Sequence, residues 1–191
     1  SSDLSFDLRL RGRKTVFTAP TYLTTGQQTV KARAFDSATS TWSALSEATY
    51  LVDAEAPAAS NLAISEIQYH PAVTPEDTGA GYNDDTFFEY LELMNIGSKR
   101  VDLMGIKFTD GLTWNFDAAA TVPRLLPPGQ RVIIAGNLAG FARRHGAGLP
   151  VAGQFSGQID NGGERITLTD SSGTVIRSFT YDDIAPWPVE T

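Results

Sequence analysis

The chain has 191 residues, 41% hydrophobic and 19% charged, with 17 Gly and 10 Pro, a composition typical of a globular protein with many turns. It contains no cysteine, which excludes disulfides, thiolate metal sites and cysteine nucleophiles. Its net charge of -7 disfavours general nucleic-acid binding, because phosphate backbones repel an acidic protein, and no apolar stretch reaches the roughly 18 residues of a membrane span.

The charge distribution and one segment of small residues divide the chain into two parts. The first 55 residues hold six basic and six acidic side chains, whereas residues 56–191 hold nine basic and sixteen acidic ones. Segment 54–60 is Ala-rich, contains a Pro and has no large side chain to bury, as is typical of a linker. We therefore expect domains at residues 1–53 and 61–191, joined by a linker at 54–60.

Short strands are predicted in the first part. Phe6, Leu8 and Leu10 alternate with polar residues, which is the period-two pattern of a half-buried strand. Two further strands are predicted at 29–35 and 47–53. Three or four strands make only a partial β-sandwich, so this part is expected to be an incomplete module.

The second part has the pattern of many short strands separated by Gly and Pro turns. In the first of them the apolar positions change parity near Ser65 and Glu66, which indicates a β-bulge. Gly173 permits the positive φ of a tight hairpin turn near the end of the chain. The predicted strands are 62–69, 87–95, 101–109, 130–136, 164–170 and 174–181.

One short helix is predicted after the strand at 130–136. Asn137 is suited to cap its N-terminus, Arg143 and Arg144 favour its C-terminal end, and Gly146 is suited to terminate it. Many short strands with a single minor helix indicate an all-β sandwich.

Four segments of the second part have the order and spacing of the motifs of a known family. They are Ile64-Ser-Glu-Ile67, Glu89-Tyr-Leu-Glu-Leu-Met-Asn95-Ile-Gly97, Val101-Asp-Leu-Met-Gly105 and Leu126-Pro-Pro-Gly-Gln-Arg-Val-Ile-Ile-Ala135. Together with the hairpin that contains Gly173 and Tyr181, they resemble the lamin tail domain over residues 60–188. The resemblance implies an immunoglobulin-like β-sandwich with one short helix, preceded here by the partial β-sandwich module.

The family resemblance also implies a setting. Lamin tail domains occur at the end of nuclear lamins and, without a rod, in bacterial exported or surface proteins beside hydrolase, nuclease or adhesion modules. The chain lacks lamin-type heptads, so the resemblance implies the bacterial exported type. Segment 181–188 is similar to a bacterial form that continues into one more strand, and we expect the chain to be an excised piece. The family brings no catalytic residues, which implies that the chain is not an enzyme.

The first part has a resemblance of its own. Residues 30–34 and 41–50 are similar to the C-terminal half of a fibronectin-III-like, chitobiase-associated β module that occurs beside such domains. The resemblance covers residues 3–53, and its first strands are absent from the sequence.

An acidic loop is the candidate metal site. Glu76, Asp77, Asp84 and Asp85 bring carboxylate oxygens together among flexible glycines, and hard cations such as Ca²⁺ prefer oxygen ligands. The pattern is not that of an EF-hand, and a solvated acidic loop is the alternative. No other cofactor is expected.

The sequence leaves three functions open. The first is a non-catalytic structural or interaction module of a larger secreted or cell-surface bacterial protein, extracellular or periplasmic, whose partners are its neighbouring domains and an unknown protein or polysaccharide. The second is a carbohydrate-binding module, if Trp42, Trp114 and Trp187 are exposed to stack on sugars. The third is a metal-dependent hydrolase, which requires His70 to converge with Asp84 and Asp85. His145 lies 75 residues after His70, without the spacing of a helical zinc site.

Overall fold

The computed structural model describes residues 6–10, 13–17, 26–36, 38–117, 120, 122–185 and 187. The chain forms two compact units, Ser1–Asp53 and Ala54–Thr191. The second unit contains the buried hydrophobic core.

The described residues of the first unit form three antiparallel strand pairs: β1 with β2, β3 with β6, and β4 with β5. The strand predicted at 6–10 is confirmed, and those predicted at 29–35 and 47–53 are present with shifted limits. No side chain of residues 28–36 and 38–53 is buried. The strands are β1 (Phe6–Leu10), β2 (Arg13–Phe17), β3 (Gly26–Ala32), β4 (Phe35–Asp36), β5 (Thr41–Trp42) and β6 (Ser46–Val52).

Within its described ranges, the second unit contains eleven strands, two short α-helices and a 3₁₀ helix at Asp85–Phe88. The first strands are β7 (Ala54–Glu55), β8 (Leu62–Gln68), β9 (Tyr90–Asn95), β10 (Arg100–Asp102), β11 (Lys107–Asp110) and β12 (Trp114–Asn115). The remaining strands are β13 (Leu125–Leu126), β14 (Arg131–Ala135), β15 (Val151–Gln154), β16 (Arg165–Thr169) and β17 (Val175–Thr180). The helices are α1 (Pro75–Gly79) and α2 (Leu138–His145).

Two four-stranded sheets form the sandwich of this unit, in the orders β15-β14-β9-β8 and β12-β11-β16-β17. A smaller sheet has the order β13-β10-β7. Alternate residues of the strands point into one core, to which β9 contributes Leu91 and Leu93 while β16 contributes Ile166 and Leu168. The predicted all-β sandwich is confirmed.

Residues 54–60, predicted as a linker, belong to the second unit. Ala54 pairs in parallel with Arg100, and the Glu55 carboxylate lies 3.2 Å from Lys99 Nζ. Small side chains suggested a free connection, but the backbone of β7 bonds to the edge of β10. The second compact unit therefore begins at Ala54, and the division into domains at 1–53 and 61–191 stays a prediction.

Several locally determined features are confirmed. The β8–β9 register shifts between Ile64 and Glu66, where the bulge is predicted. Asn137 caps α2 by accepting a hydrogen bond from the Gly140 amide at 2.8 Å, and Gly146 is its C-cap residue. Gly173 has φ +89° in the turn between β16 and β17.

Two predicted strands have different limits in the structure. The strand predicted at 87–95 begins only at Tyr90, because Phe87 and Phe88 lie in the 3₁₀ helix. The strand predicted at 101–109 is interrupted after β10 by a turn in which Gly105 has φ +80°.

Helix α1 is an addition that the pattern of apolar residues did not predict. Its signal is a capping box: Thr74 Oγ1 accepts from the Asp77 amide, the Asp77 side chain accepts from the Thr74 amide, and Pro75 stands in the first turn. The acidic loop therefore begins with a helix.

Candidate functional site

The acidic loop is organised by two arginines rather than around an open cation site. Asp77 is 4% exposed, and its carboxylate lies 3.0 Å from Arg143 Nε and 2.8 Å from a terminal guanidinium nitrogen of Arg144. Thr74 Oγ1 donates to the same carboxylate at 2.8 Å. The Arg144 bond, with those of Thr74 and Arg143, holds the pKa of Asp77 far below its usual range. Asp77 thus attaches α1 to α2.

The other predicted calcium ligands point in different directions. Asp84 Oδ1 accepts from the Thr86 amide and hydroxyl at 3.0 and 2.7 Å, and these bonds lower the pKa of Asp84. Asp85 Oδ2 accepts from Asn161 at 2.6 Å, while Glu76 is exposed. In the part of the chain that the structure describes, no three His, Asp or Glu side chains are grouped to hold a metal ion. The calcium site stays a prediction, to be tested in solution.

The histidines occupy separate surroundings. His70 Nε2 lies 3.9 Å from Asp85 Oδ2. His145 stacks on Phe141 with ring centroids 4.5 Å apart, and its pKa is lowered, first by burial and then by Arg144. A hydrolase would require His70, Asp84 and Asp85 to converge. His70 and Asp85 lie close together, whereas the Asp84 carboxylate bonds to Thr86.

The surroundings of the Glu89 carboxyl group could not be inferred from the sequence. It directly precedes β9 and is 1% exposed. Glu89 Oε2 accepts from the Ile159 amide at 2.8 Å, whereas Oε1 is buried without a hydrogen-bond partner among the described residues. A buried carboxyl oxygen without a partner is costly and therefore uncommon in folded proteins.

The electrostatic surroundings of Glu89 are acidic. Burial, opposed by the Ile159 bond and reinforced by the charges of Asp85, Asp84 and Glu164, raises the pKa of Glu89 to about 8. Glu89 is therefore largely protonated at neutral pH and is a buried neutral acid.

Glu92, three residues further along, has an ordinary structural role. Its Oε1 lies 2.9 Å from Arg131 Nε and accepts from Ser65 Oγ at 2.7 Å. Glu92 lies within β9, whereas Glu89 precedes that strand and bonds to the backbone of a distant loop. The two carboxyl groups are engaged with different partners and do not form an acid-base pair.

Tyr181 stabilises the loop before β16, which contains Ile159, the hydrogen-bond partner of Glu89. Its ring is 1% exposed and packs on Tyr69 with centroids 4.8 Å apart. Its hydroxyl donates to the Asp160 carbonyl at 2.5 Å. The loop before β16 is thus held both at Ile159 and at Asp160.

The three tryptophans differ in exposure. Trp114 is 7% exposed in the core, and Trp187 packs partly buried on Phe179. Trp42 is 55% exposed in the first unit, next to the equally open Phe35. Trp42 alone of the three is open enough to stack on a ligand.

A shallow cavity of about 260 Å³ lies beside α2, lined by apolar residues and glycine, among them Leu138, Phe141 and Leu149. Its lining brings no catalytic group together. Within the described ranges, no helix has the length and apolar character needed to cross a membrane.

The second unit is an immunoglobulin-like sandwich domain in which most of the charged side chains described above bond to one another or to the backbone. The family profile of the Lamin Tail Domain matches residues 55–183. The chain belongs to this family, whose domains are non-enzymatic immunoglobulin-like sandwiches. No curated protein and no solved structure gives a significant match.

Proposed function

We propose that the chain is a non-catalytic structural and interaction module of a larger bacterial protein that is exported or held on the cell surface. The observation that carries the proposal is the family match over the whole sandwich, residues 55–183. The module then spaces or attaches the neighbouring domains of its polypeptide and contacts a protein or polysaccharide outside the cytoplasm. Its acidic charge disfavours nucleic acid as the partner.

The arrangement of charged side chains supports a structural role. Arg124 donates two parallel hydrogen bonds to the Asp102 carboxylate, of 2.5 Å from Nε and 2.6 Å from a terminal guanidinium nitrogen. These bonds fix the end of β10. The Asp77 pair with Arg143 and Arg144 fixes α2 in the same manner. These groups are engaged in the fold, whereas a catalytic acid or base must be able to reach a substrate.

The proposal is tested by turnover and by location. We expect the purified chain to hydrolyse esterase, phosphatase, nuclease and glycosidase substrates no faster than a heat-unfolded sample of the same preparation. Hydrolysis that disappears in the double variant His70→Ala with Asp85→Asn would contradict the proposal and favour the hydrolase. Detection of the parent protein only in the cytoplasmic fraction of its source would contradict the proposed location.

Binding of polysaccharide is a second candidate function, favoured by the first unit. Trp42 and Phe35 are 55% and 49% exposed, with ring centroids 4.8 Å apart. The Arg33 guanidinium lies 4.5 Å from the Trp42 ring centroid. Exposed aromatic rings beside a hydrogen-bond donor suit a sugar, which presents both apolar faces and hydroxyls.

Retention on insoluble chitin, cellulose and peptidoglycan tests this second candidate. We expect Trp42→Ala to abolish retention and Leu45→Ala to preserve it, because Leu45 is equally open at 56% exposure but has no ring. Equal loss in both variants, or no retention of the unaltered chain, would argue against a sugar site.

A further inference from the structure

The carboxyl group of Glu89 lies where three segments of the second unit meet. Its own backbone carbonyl accepts from the Gly136 amide at 2.8 Å, which ties it to the end of β14. Its Oε2 accepts from the Ile159 amide, which ties it to the loop after β15. The 3₁₀ helix Asp85–Phe88 immediately precedes it in the chain. A change in the charge of the Glu89 carboxyl group therefore acts directly on its bond to Ile159, while the backbone bond to Gly136 holds Glu89 in place.

No described side chain compensates a negative charge on Glu89. Among the described residues, Oε1 has no hydrogen-bond partner and Oε2 has only a backbone amide. The groups around it are acidic or neutral, apart from His70, which lies beside Asp85. An ionised Glu89 would thus be buried among like charges and short of donors. The titratable groups on the adjoining segments are His70, Asp84, Asp85, Asp160, Glu164 and Tyr181.

We propose that Glu89 is a proton-dependent switch, which in its protonated form keeps segment 156–161 closed on the start of β9 and on ionisation favours the opening of that segment.

Opening of segment 156–161 has to break a defined set of contacts. Ser156 pairs with Thr113 through two backbone hydrogen bonds of 2.9 Å, and the side chain of Ile159 is 1% exposed in the core. Besides the Ile159 bond, Asn161 Nδ2 donates to Asp85 Oδ2 at 2.6 Å and the Asp160 carbonyl accepts from Tyr181. The bonds of Ile159 and Asn161 both engage carboxyl groups, those of Glu89 and Asp85. Glu89 is 1% exposed, so hydration of an ionised carboxylate requires groups packed around it to move.

The sign of the pH dependence follows from linkage. Burial raises the pKa of Glu89 from about 4.5 to about 8 in the closed state, so the closed state binds the proton more tightly than the open one. The stabilisation of the closed state is complete below the lower value and is lost as pH rises. The opening constant should therefore increase by about tenfold per pH unit across this window and level off above about pH 8.

Amide hydrogen exchange at Ile159, whose amide donates to Glu89, tests the proposal when it is measured by NMR from about pH 5 to about pH 9 and divided by the intrinsic rate. We expect the opening constant of the unaltered chain to follow this tenfold slope. Glu89→Gln should show no slope, because its amide side chain cannot ionise. Glu92→Gln is the matched control on β9 and should keep the slope. Exchange of Ile159 at the same opening constant as the core amides of Leu91 and Ile134 would show global unfolding and overturn the switch.

Two further measurements keep the proposal falsifiable if Glu89→Gln does not fold. The side-chain carboxyl ¹³C shift of Glu89 in the unaltered chain should titrate with a midpoint near pH 8, and a midpoint below about pH 5 would overturn the proposal. The exchange profile should be the same in Ca²⁺ and in EDTA. If Ca²⁺ closes the segment at pH 7, the carboxyl group is a cation ligand, and the proposal is wrong.

Discussion

Gly140→Ala tests how α2 docks on the 3₁₀ helix. Gly140 is the third residue of α2 and is buried. A Cβ atom at this position would lie 2.1 Å from the carbonyl oxygen of Phe87, 3.0 Å from its carbonyl carbon and 3.2 Å from its Cβ. The obstacle is chiefly backbone, so α2 must move away from the 3₁₀ helix to make room.

The magnitude follows from two opposing effects. Helix propensity alone makes Ala more favourable than Gly by about 1 kcal/mol. The clash exceeds this gain, since overpacking a tight contact costs about 1–3 kcal/mol and sometimes more, and a contact of 2.1 Å is extreme. With a cost at the upper end of that range, about 3 kcal/mol, less the gain of about 1 kcal/mol, we expect a net loss of about 2 kcal/mol in the free energy of unfolding, which lowers the thermal midpoint by about 5–8 °C.

Urea unfolding, followed by circular dichroism and by the fluorescence of the buried Trp114, measures the loss. Gly148→Ala is the matched control: it lies just beyond α2, and a Cβ there meets no atom within 4 Å. We expect the control to change stability by less than about 0.5 kcal/mol. A Gly140→Ala variant as stable as the unaltered chain, or more stable, would refute the docking contact.

Three other perturbations test the second unit. Asn95→Ala removes a fully buried amide that donates to the Lys99 and Leu126 carbonyls, so urea unfolding should show a loss of about 2–3 kcal/mol, and a loss below 0.5 kcal/mol would contradict the network. Asp77→Asn should lower the thermal midpoint at pH 6. The difference in midpoint between the variant and the unaltered chain should shrink as pH falls below about 4, because the lowered pKa of Asp77 stabilises the fold only while the group is ionised. A difference that does not depend on pH would contradict the ion pairs. The thermal midpoint should be equal in Ca²⁺ and EDTA, since Asp77 is bonded to arginines, whereas a rise of several degrees that is lost on Asp84→Asn with Asp85→Asn would establish the calcium site.

The candidate site shows where inference from the pattern of residues stops. Carboxylates close together in sequence predicted a cation site, but the arginines that bond to Asp77 are 66 and 67 positions away. The partner of Glu89, the Ile159 amide, is 70 positions away. A sequence motif marks Glu89 as part of a family pattern, yet its burial and its unpartnered oxygen depend on which distant segments pack on it.

The sequence by itself determined the features that depend on neighbouring residues. These are the bulge near Ser65, the capped helix α2, the hairpin turn at Gly173 and the motifs of the family, because caps, turns and alternation act within a few positions. Only the tertiary structure decided that Gly140 touches the Phe87 backbone, that Ala54 and Glu55 join a sheet and that Glu89 Oε1 is buried with no hydrogen-bond partner among the described residues. The physical reason is that burial, steric contact and desolvation are set by segments far apart in the chain, which folding alone brings together.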